Sequence, residues 1–375
     1  MNFVEHVAKE RALAPAGVPV PRGILCKTPE AAAEAFEKLG PCMVKAQAPT
    51  GKRGKAGGIK PAFSAKEAHD LAAAILGMTI DGHLVGSVLL EERAGIAREF
   101  YAVVLNDAKS KSPLVLFSTE GGMDIEEAAA TRPDALKHWS VDLAQGFGVA
   151  EARAMTEGLD LSGADDQIAQ ILAALYQISS ALDAELIEIN PLALLTDGRV
   201  VALDCKLTLD DSAAFRQGDL SAAAAPETMS VLEQDGYDSG LKFIQLDGNV
   251  GVLANGAGLT MTTMDVISHF GGRPANFLEI GGEAYTKSET ALRLVLANPG
   301  VKSLVVNFCG AFARTDVMAE GVVAAWRKLK PSVPVFFSIH GTGEDDAVRI
   351  VREGLGIEPF DFMEDAVKAA VGAAQ

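Results

Sequence analysis

Four cysteines, Cys26, Cys42, Cys205 and Cys309, are scattered along the chain, and no two fall at the spacing of a metal knuckle or a close disulfide. That points away from a disulfide-stapled or zinc-organised fold and towards reduced thiols. Long apolar runs are missing as well. No stretch approaches the roughly 18–20 residues of a membrane span, so no membrane partner is expected. The segment Met1-Asn2-Phe3-Val4-Glu5-His6 carries an acid and lacks an apolar core, which argues against a secretory signal. Cytoplasm is the expected compartment. Nor is there a long Lys/Arg run to set against a net charge of −17, so nucleic acid is not an expected partner. A locally basic pocket for phosphates remains compatible with that charge. The Walker arrangement is absent too, because no Gly-Lys-Ser/Thr opens a helix.

What is present is ordinary for a globular chain: 49% apolar and 22% charged residues over 375 positions, enough for two to three domains with their own cores. A helix is expected over residues 4–13 and a strand at 22–26. Thr28-Pro29-Glu30 then opens a helix to about residue 38, with Thr as cap and Pro at its first position. Cys42–Ala46 reads as a short buried strand, and 50–58 as a loop rich in Gly, Lys and Arg. A helix over 64–77 precedes strands near 85–91, 98–106 and 112–118. A helical region spans 150–182. The acidic, alanine-rich stretch 208–240 reads as a linker, with the domain boundary near 235. Beyond it, strands at 250–253, 274–278, 303–307 and 333–338 alternate with helices at 258–270, 286–297, 314–329 and 344–354. Strict alternation is the mark of a doubly wound parallel sheet.

Four clusters could carry chemistry. Glu185–Ile189 and Val200–Asp204 read as neighbouring strands joined by Thr196-Asp197-Gly198-Arg199, an Asp-Gly hairpin turn. A tight hairpin brings Asn190 and Asp204 to one end of the sheet. One carboxylate and one amide oxygen, with room for water and phosphate oxygens, is a common way to hold Mg²⁺ at a nucleotide. An ordinary hairpin with a polar mouth accounts for the same residues. Lys45 ends a buried strand, where an ammonium has little reason to be unless it meets an anion. The following Gly51-Lys52-Arg53-Gly54-Lys55-Ala56-Gly57-Gly58 lets backbone amides approach phosphates, with Arg53 and Lys55 adding charge. A flexible cationic surface loop would look similar. Val88-Leu89-Leu90-Glu91-Glu92 and Arg98-Glu99 suit a hinge around a base and ribose, and equally suit exposed edge charges. Asn255-Gly256-Ala257-Gly258 follows a strand and opens a helix, an anion-friendly turn that is also common without any ligand.

In this order, strand-Lys45, the 51–58 loop, strand-Glu91, Ser118-Thr119-Glu120-Gly121-Gly122, Glu188-Ile189-Asn190-Pro191 and Leu203-Asp204-Cys205-Lys206 resemble the succinyl-CoA synthetase β subunits. Malate–CoA ligase β subunits and other NDP-forming acyl-CoA ligases are close relatives. Phe215-Arg216-Gln217, Leu246-Asp247-Gly248-Asn249, Asn255-Gly256-Ala257-Gly258 and Gly271-Gly272-Arg273-Pro274-Ala275-Asn276 extend the likeness over nearly the whole chain. The resemblance implies an α/β protein with an N-terminal ATP-grasp domain of two α+β subdomains, over 1–234 with about 20–100 inserted. A doubly wound, flavodoxin-like CoA-ligase domain over 235–375 would follow.

It further implies ATP or GTP with Mg²⁺. Lys45, Lys52, Arg53 and Gly54 would lie at the phosphates, Glu91 at the base and ribose, Glu99 along the same cleft, and Asn190 and Asp204 on the metal. The phosphoryl acceptor would be a histidine on an α subunit that also holds most of the CoA, and Glu188 would orient it. None of His6, His69, His83, His138, His269 and His340 sits in a glycine-rich turn beside an acid, which fits an acceptor supplied by a partner. Asn255, Gly310, Ala311 and Phe312 would meet the carboxylic acid, with succinate first and malate or a related acid behind it. A nucleotide-binding regulatory ATP-grasp protein and a stand-alone carboxylate ligase are the competing readings.

Several positions depart from the family pattern. Ala48-Pro49-Thr50-Gly51-Lys52 stands where Val-His-Ala-Gly-Gly is usual, which could alter nucleotide preference. Cys309, Ala311 and Phe312 replace parts of Phe-Gly-Gly-Ile, and Ser338-Ile339-His340-Gly341-Thr342 replaces an Arg-Leu-x-Gly-Thr/Asn pattern. Glu283 stands where a third glycine is usual. The substrate side drifts more than the nucleotide side, so the acid need not be succinate.

Overall fold

The computed structural model describes residues 1–122, 136–226, 229–281 and 287–375, so Gly282 and Glu283 lie outside the described residues. Internal contacts divide the chain into Met1–Thr228 and Met229–Gln375, a few residues ahead of the expected 234/235 boundary. The helix Val231–Asp238, capped reciprocally by Ser230 and Glu233, falls wholly in the second unit.

The first unit contains two main sheets. The smaller is antiparallel, in the order Gly23–Cys26, Val88–Glu92, Cys42–Ala46, Ile59–Ala62. The helices Pro29–Leu39 and Ala65–Ile75 pack on it, and buried alanines (Ala32, Ala35, Ala68, Ala72) allow the close approach. Each helix starts where a hydroxyl can satisfy a loose amide: Thr28 accepts from Ala31 N, and Ser64 from Glu67 N. The larger sheet runs Val200–Ala202, Ala184–Leu195, Ile96–Asp107, Ser112–Ser118, Leu136–Ser140. Lys206–Leu209 pairs with the first half of Ala184–Leu195. The stacked Phe100 and Phe117, both fully buried, belong to the core beneath it.

Three expectations need correction here. The first helix keeps α geometry only over Glu5–Ala8, then widens into a π-turn over Lys9–Leu13. The 150–182 region is two helices, Val149–Thr156 and Asp165–Ala181. Positive φ at Gly158, Ser162 and Gly163 turns the chain between them. The 208–240 stretch is not an open linker: Lys206–Leu209 is a sheet strand, and short helical turns cover Asp211–Arg216 and Gly218–Ser221.

The second unit is built on parallel strands Val250–Ala254, Ser303–Gly310 and Val335–Gly341, in that order. Parallel bridges from Val250 to Pro274 and Ala254 to Glu279 add a neighbour on one side, and Ser338 to Phe360 adds one on the other. Phe243–Gln245 pairs antiparallel at the edge, an addition to the expected all-parallel alternation. Helices Ala257–His269 and Met363–Ala373 cover one face, the latter through Val367, Ala370 and Val371. Ser288–Ala297, Thr315–Leu329 and Glu344–Leu355 cover the other. Covering both faces is what makes the central strands continuous apolar runs.

Candidate functional site

The hairpin of the first unit sets the geometry. Leu192 faces Ala202 above, and Glu188 faces Lys206 below, in the same antiparallel register. Between these ladders the chain carries the single bond Leu203 N to Pro191 O, 3.1 Å. Asn190 and Asp204 are therefore directly opposed in the gap, half-buried, with no continuous ladder to occupy their surroundings. Asn190 Oδ1 accepts from Gly122 N at 2.8 Å, which ties the Ser118–Gly122 turn to this point. That turn needs its glycines. A Cβ on Gly121 would lie 2.4 Å from Phe100 O, and one on Gly122, whose φ is +72°, would lie 2.2 Å from Glu99 Oε2. Glu99 is thus placed against the same turn.

Next to this gap lies a group of six charges, five of them buried, with the half-buried Asp204 at its edge. Glu5, Lys9, Lys45, Arg53 and Glu91 are each 5% exposed or less. Lys45 and Glu91 are diagonal neighbours on one face of the small sheet, since Met43 pairs with Glu91 and Lys45 with Leu89. Lys45 Nζ donates to Glu5 Oε1, to Glu91 Oε1 at 3.2 Å and to Leu203 O at 2.7 Å. Lys9, one helical turn after Glu5, donates to Glu5 Oε1 at 2.6 Å, Glu91 Oε2 at 2.5 Å and Leu203 O at 2.7 Å. Arg53 reaches Asp204 Oδ1 at 2.6 Å and Glu5 Oε2 at 2.7 Å, and its Nη1 donates to Ala46 O at 2.8 Å.

Burial alone would raise the Glu5 carboxyl, but Lys45, Lys9 and Arg53 outweigh it and hold it well below the usual range. For Glu91 burial wins over Lys45 and Lys9, and its carboxyl is pushed up. Burial would lower the Lys9 ammonium, yet Glu5 and Glu91 hold it above its ordinary value. Three cations meet the buried Glu5 and Glu91 and the half-buried Asp204, and this mutual pairing is the condition for burying the five inner charges.

The sequence-expected residues divide accordingly. Lys45, Arg53, Glu91 and Asp204 come together. Glu91, expected beside the base and ribose, pairs with Lys45 and Lys9 in the ion group. Lys52 and Gly54 are exposed on the 51–58 turn, with Lys52 at φ 60°. The turn closes on itself through Gly58 N to Arg53 O and Ala46 N to Gly58 O. This aims the Arg53 side chain inward while leaving Lys52 in solvent. Glu188 lies on the same strand as Asn190. Its charge, after burial, raises the Tyr101 phenol. Glu5 and Lys9 escape sequence reading. Their only signal is an acid and a base four apart on a face that is otherwise apolar. Among the described residues no three His, Cys, Asp or Glu side chains gather as a metal cluster. Asn190 and Asp204 both present side-chain oxygens, the donor type that hard cations prefer.

In the second unit the expected residues cluster where parallel strands end, the usual location of ligand sites in such sheets. Asn255 spends both ends of its amide on Cys309: its Nδ2 donates to Cys309 O at 2.9 Å, and its Oδ1 accepts from Cys309 N at 2.7 Å. It fixes the 309–313 loop. Gly310 is required sterically, because a Cβ there would sit 2.3 Å from Ala313 O. Ala311 O accepts from Thr342 Oγ1 at 2.8 Å, and Phe312 is fully exposed. Arg314 pairs with Asp316 through both its Nε and Nη2. Ser338 is fully buried.

Comparison with known proteins agrees with this division. The ATP-grasp domain family matches residues 2–194, and the CoA-ligase family matches 253–371. The succinate–CoA ligase [GDP-forming] β subunit of Thermus thermophilus is 42% identical over 375 residues, covering 99% of this chain and 98% of that protein. An ADP-forming counterpart from Rubrobacter xylanophilus is 41% identical over 380 residues, covering 100% and 99%. Among solved structures, ATP citrate lyase from Methanothrix soehngenii, in complex with citrate and coenzyme A, superposes with a TM-score of 0.75 at 22% identity, over 99% of each chain. That likeness speaks for the fold. The chain has an N-terminal ATP-grasp domain followed by a CoA-ligase domain with a parallel sheet. Among the described residues no helix is long and apolar enough to cross a membrane.

Proposed function

The chain belongs to the succinate–CoA ligase β-subunit family of NDP-forming CoA ligases, and on that premise we propose that it binds a magnesium–nucleoside triphosphate and phosphorylates a histidine of a partner α subunit. The phosphoryl group then passes to a small carboxylic acid, giving an acyl phosphate. CoA thiolate attacks the acyl carbon and phosphate leaves. The observation that carries this reading is the convergence of Lys45 on the Leu203 carbonyl and of Arg53 on the neighbouring Asp204 carboxylate, at the point where the hairpin register sets Asn190 opposite Asp204. A cation pair beside an oxygen-donor pair is what phosphoryl transfer requires, since positioning and charge neutralisation supply most of the catalysis.

Asn190 and Asp204 would hold Mg²⁺, which supplies charge neutralisation on the phosphate oxygens when bound. Lys45 contacts the phosphates, and the 51–54 turn offers its backbone and Lys52 at their outer edge. Glu99, against the Gly121-Gly122 turn, lines the same cleft. Glu188 orients the partner's imidazole: a carboxylate on one ring nitrogen fixes the tautomer and leaves the other nitrogen to accept phosphate. In the second domain, Asn255 holds the loop in which Gly310, Ala311 and Phe312 meet the acid. CoA is held mostly by the partner.

The acid is a dicarboxylate, with succinate first and malate or a related acid second. The test is CoA-ester formation by the chain assembled with its cognate α subunit, offered succinate, malate and citrate with ATP or GTP. CoA-thioester formation with succinate or malate, dependent on both subunits, is expected, and formation with citrate alone would overturn the dicarboxylate assignment. Activity confined to succinate would remove the other acids. No thioester with any of the three would sink the ligase reading.

A further inference from the structure

The two buried lysines of the first unit share their acceptors. Lys9 and Lys45 both donate to Glu5 Oε1, both donate to Leu203 O, and each takes one oxygen of Glu91. Glu5 Oε1 and Leu203 O are thus each held twice, so either ammonium alone would satisfy them, while the Glu91 carboxylate keeps one cation if the other leaves. Lys45 is on a strand beside the nucleotide loop, while Lys9 is on the N-terminal helix, 3% exposed.

We infer that Lys9 is a positioning residue whose ammonium keeps Glu5, Glu91 and the Leu203 carbonyl satisfied, so that Lys45 can leave them for the phosphates of a nucleoside triphosphate. Without Lys9, moving Lys45 towards a phosphate would strand the buried Glu91 carboxylate and the Leu203 carbonyl and leave Glu5 to Arg53 alone, so the lysine would stay bound to them. The fraction of chains with Lys45 available would fall, and apparent affinity falls in proportion to that fraction. Lys9 therefore sets how readily the site opens without touching the ligand. Arg53 cannot substitute for it: among the described contacts it engages the other oxygen of Glu5, together with Asp204. The strong hold of Glu5 and Glu91 on the Lys9 proton keeps that stand-in charged throughout the neutral range.

The inference rests on the proposed nucleotide site, and the test separates the two. Mg-ATP and Mg-GTP are titrated calorimetrically into the full chain and its variants, with thermal melting alongside. Binding to the unsubstituted chain and its loss in Lys45→Met test the site itself. Lys9→Met is expected to weaken binding by about ten-fold or more. The charge-balanced Lys9→Met/Glu5→Gln removes the stand-in together with one of the two carboxylates that hold Lys45, and should recover at least about three-fold of the lost affinity while Glu91 still holds the lysine. It also avoids leaving a buried charge unpaired, so it carries the test if the single variant does not fold. Unchanged affinity in folded Lys9→Met would overturn the inference and leave the nucleotide site standing. So would a ten-fold loss persisting in the double variant. No binding by the unsubstituted chain would overturn both.

Discussion

Replacing Lys45 by Met should lower phosphoryl transfer on the order of 10³-fold while leaving the first domain folded. The size follows from removing a pre-placed cation from the point where phosphate charge must be met, in a site largely closed to water. The mild structural effect follows from Lys9, which remains on Glu5, Glu91 and Leu203 O when Lys45 is gone. The measurement is single-turnover transfer from Mg-ATP in the assembled enzyme, with melting followed in parallel. A variant that keeps its rate within a few-fold would mean that Lys45 only neutralises buried acids.

Arg53→Met should do the reverse in one respect, costing about 3 kcal/mol of stability, near the low end for breaking a buried ion pair. Glu5 Oε2 loses its ion partner, and no lysine in the group is engaged with that oxygen. Asp204 also loses a partner, but its carboxylate is 30% exposed, so water covers part of that loss. For a unit of this size such a loss corresponds to a fall of roughly 6–12 °C in Tm. Arg53→Lys keeps the charge without the fork that spans two carboxylates, and should recover only part of it. If Arg53→Met melts with the unsubstituted chain, the ion group is not stabilising the fold as described.

Features with short-range causes were legible in the sequence. The Thr28-Pro29 start, the turn at Asp197-Gly198 and the alternation of strands and helices after residue 250 depend on neighbours in the chain. The hairpin register that opposes Asn190 and Asp204 followed from the same local chemistry. Charge pairing did not, because Lys9 meets Glu91 across 82 positions, and Arg53 meets Asp204 across 151. No periodicity encodes such a pair. The two lysines beside Glu91 are likewise invisible in its own stretch of sequence. The break inside 150–182 was missed because apolar spacing continues on both sides of Gly158 and Gly163. Asn255 illustrates the opposite difficulty. A polar residue at a strand end suggests a ligand, but its amide is taken up by the backbone of Cys309.

The most direct measurement follows the label from γ-³²P-ATP in the assembled enzyme with acid and CoA left out. The account predicts an acid-labile, base-stable phosphate on a histidine of the partner, absent when Lys45 or Asp204 is replaced. Label on this chain instead, or transfer that survives both replacements, would contradict it.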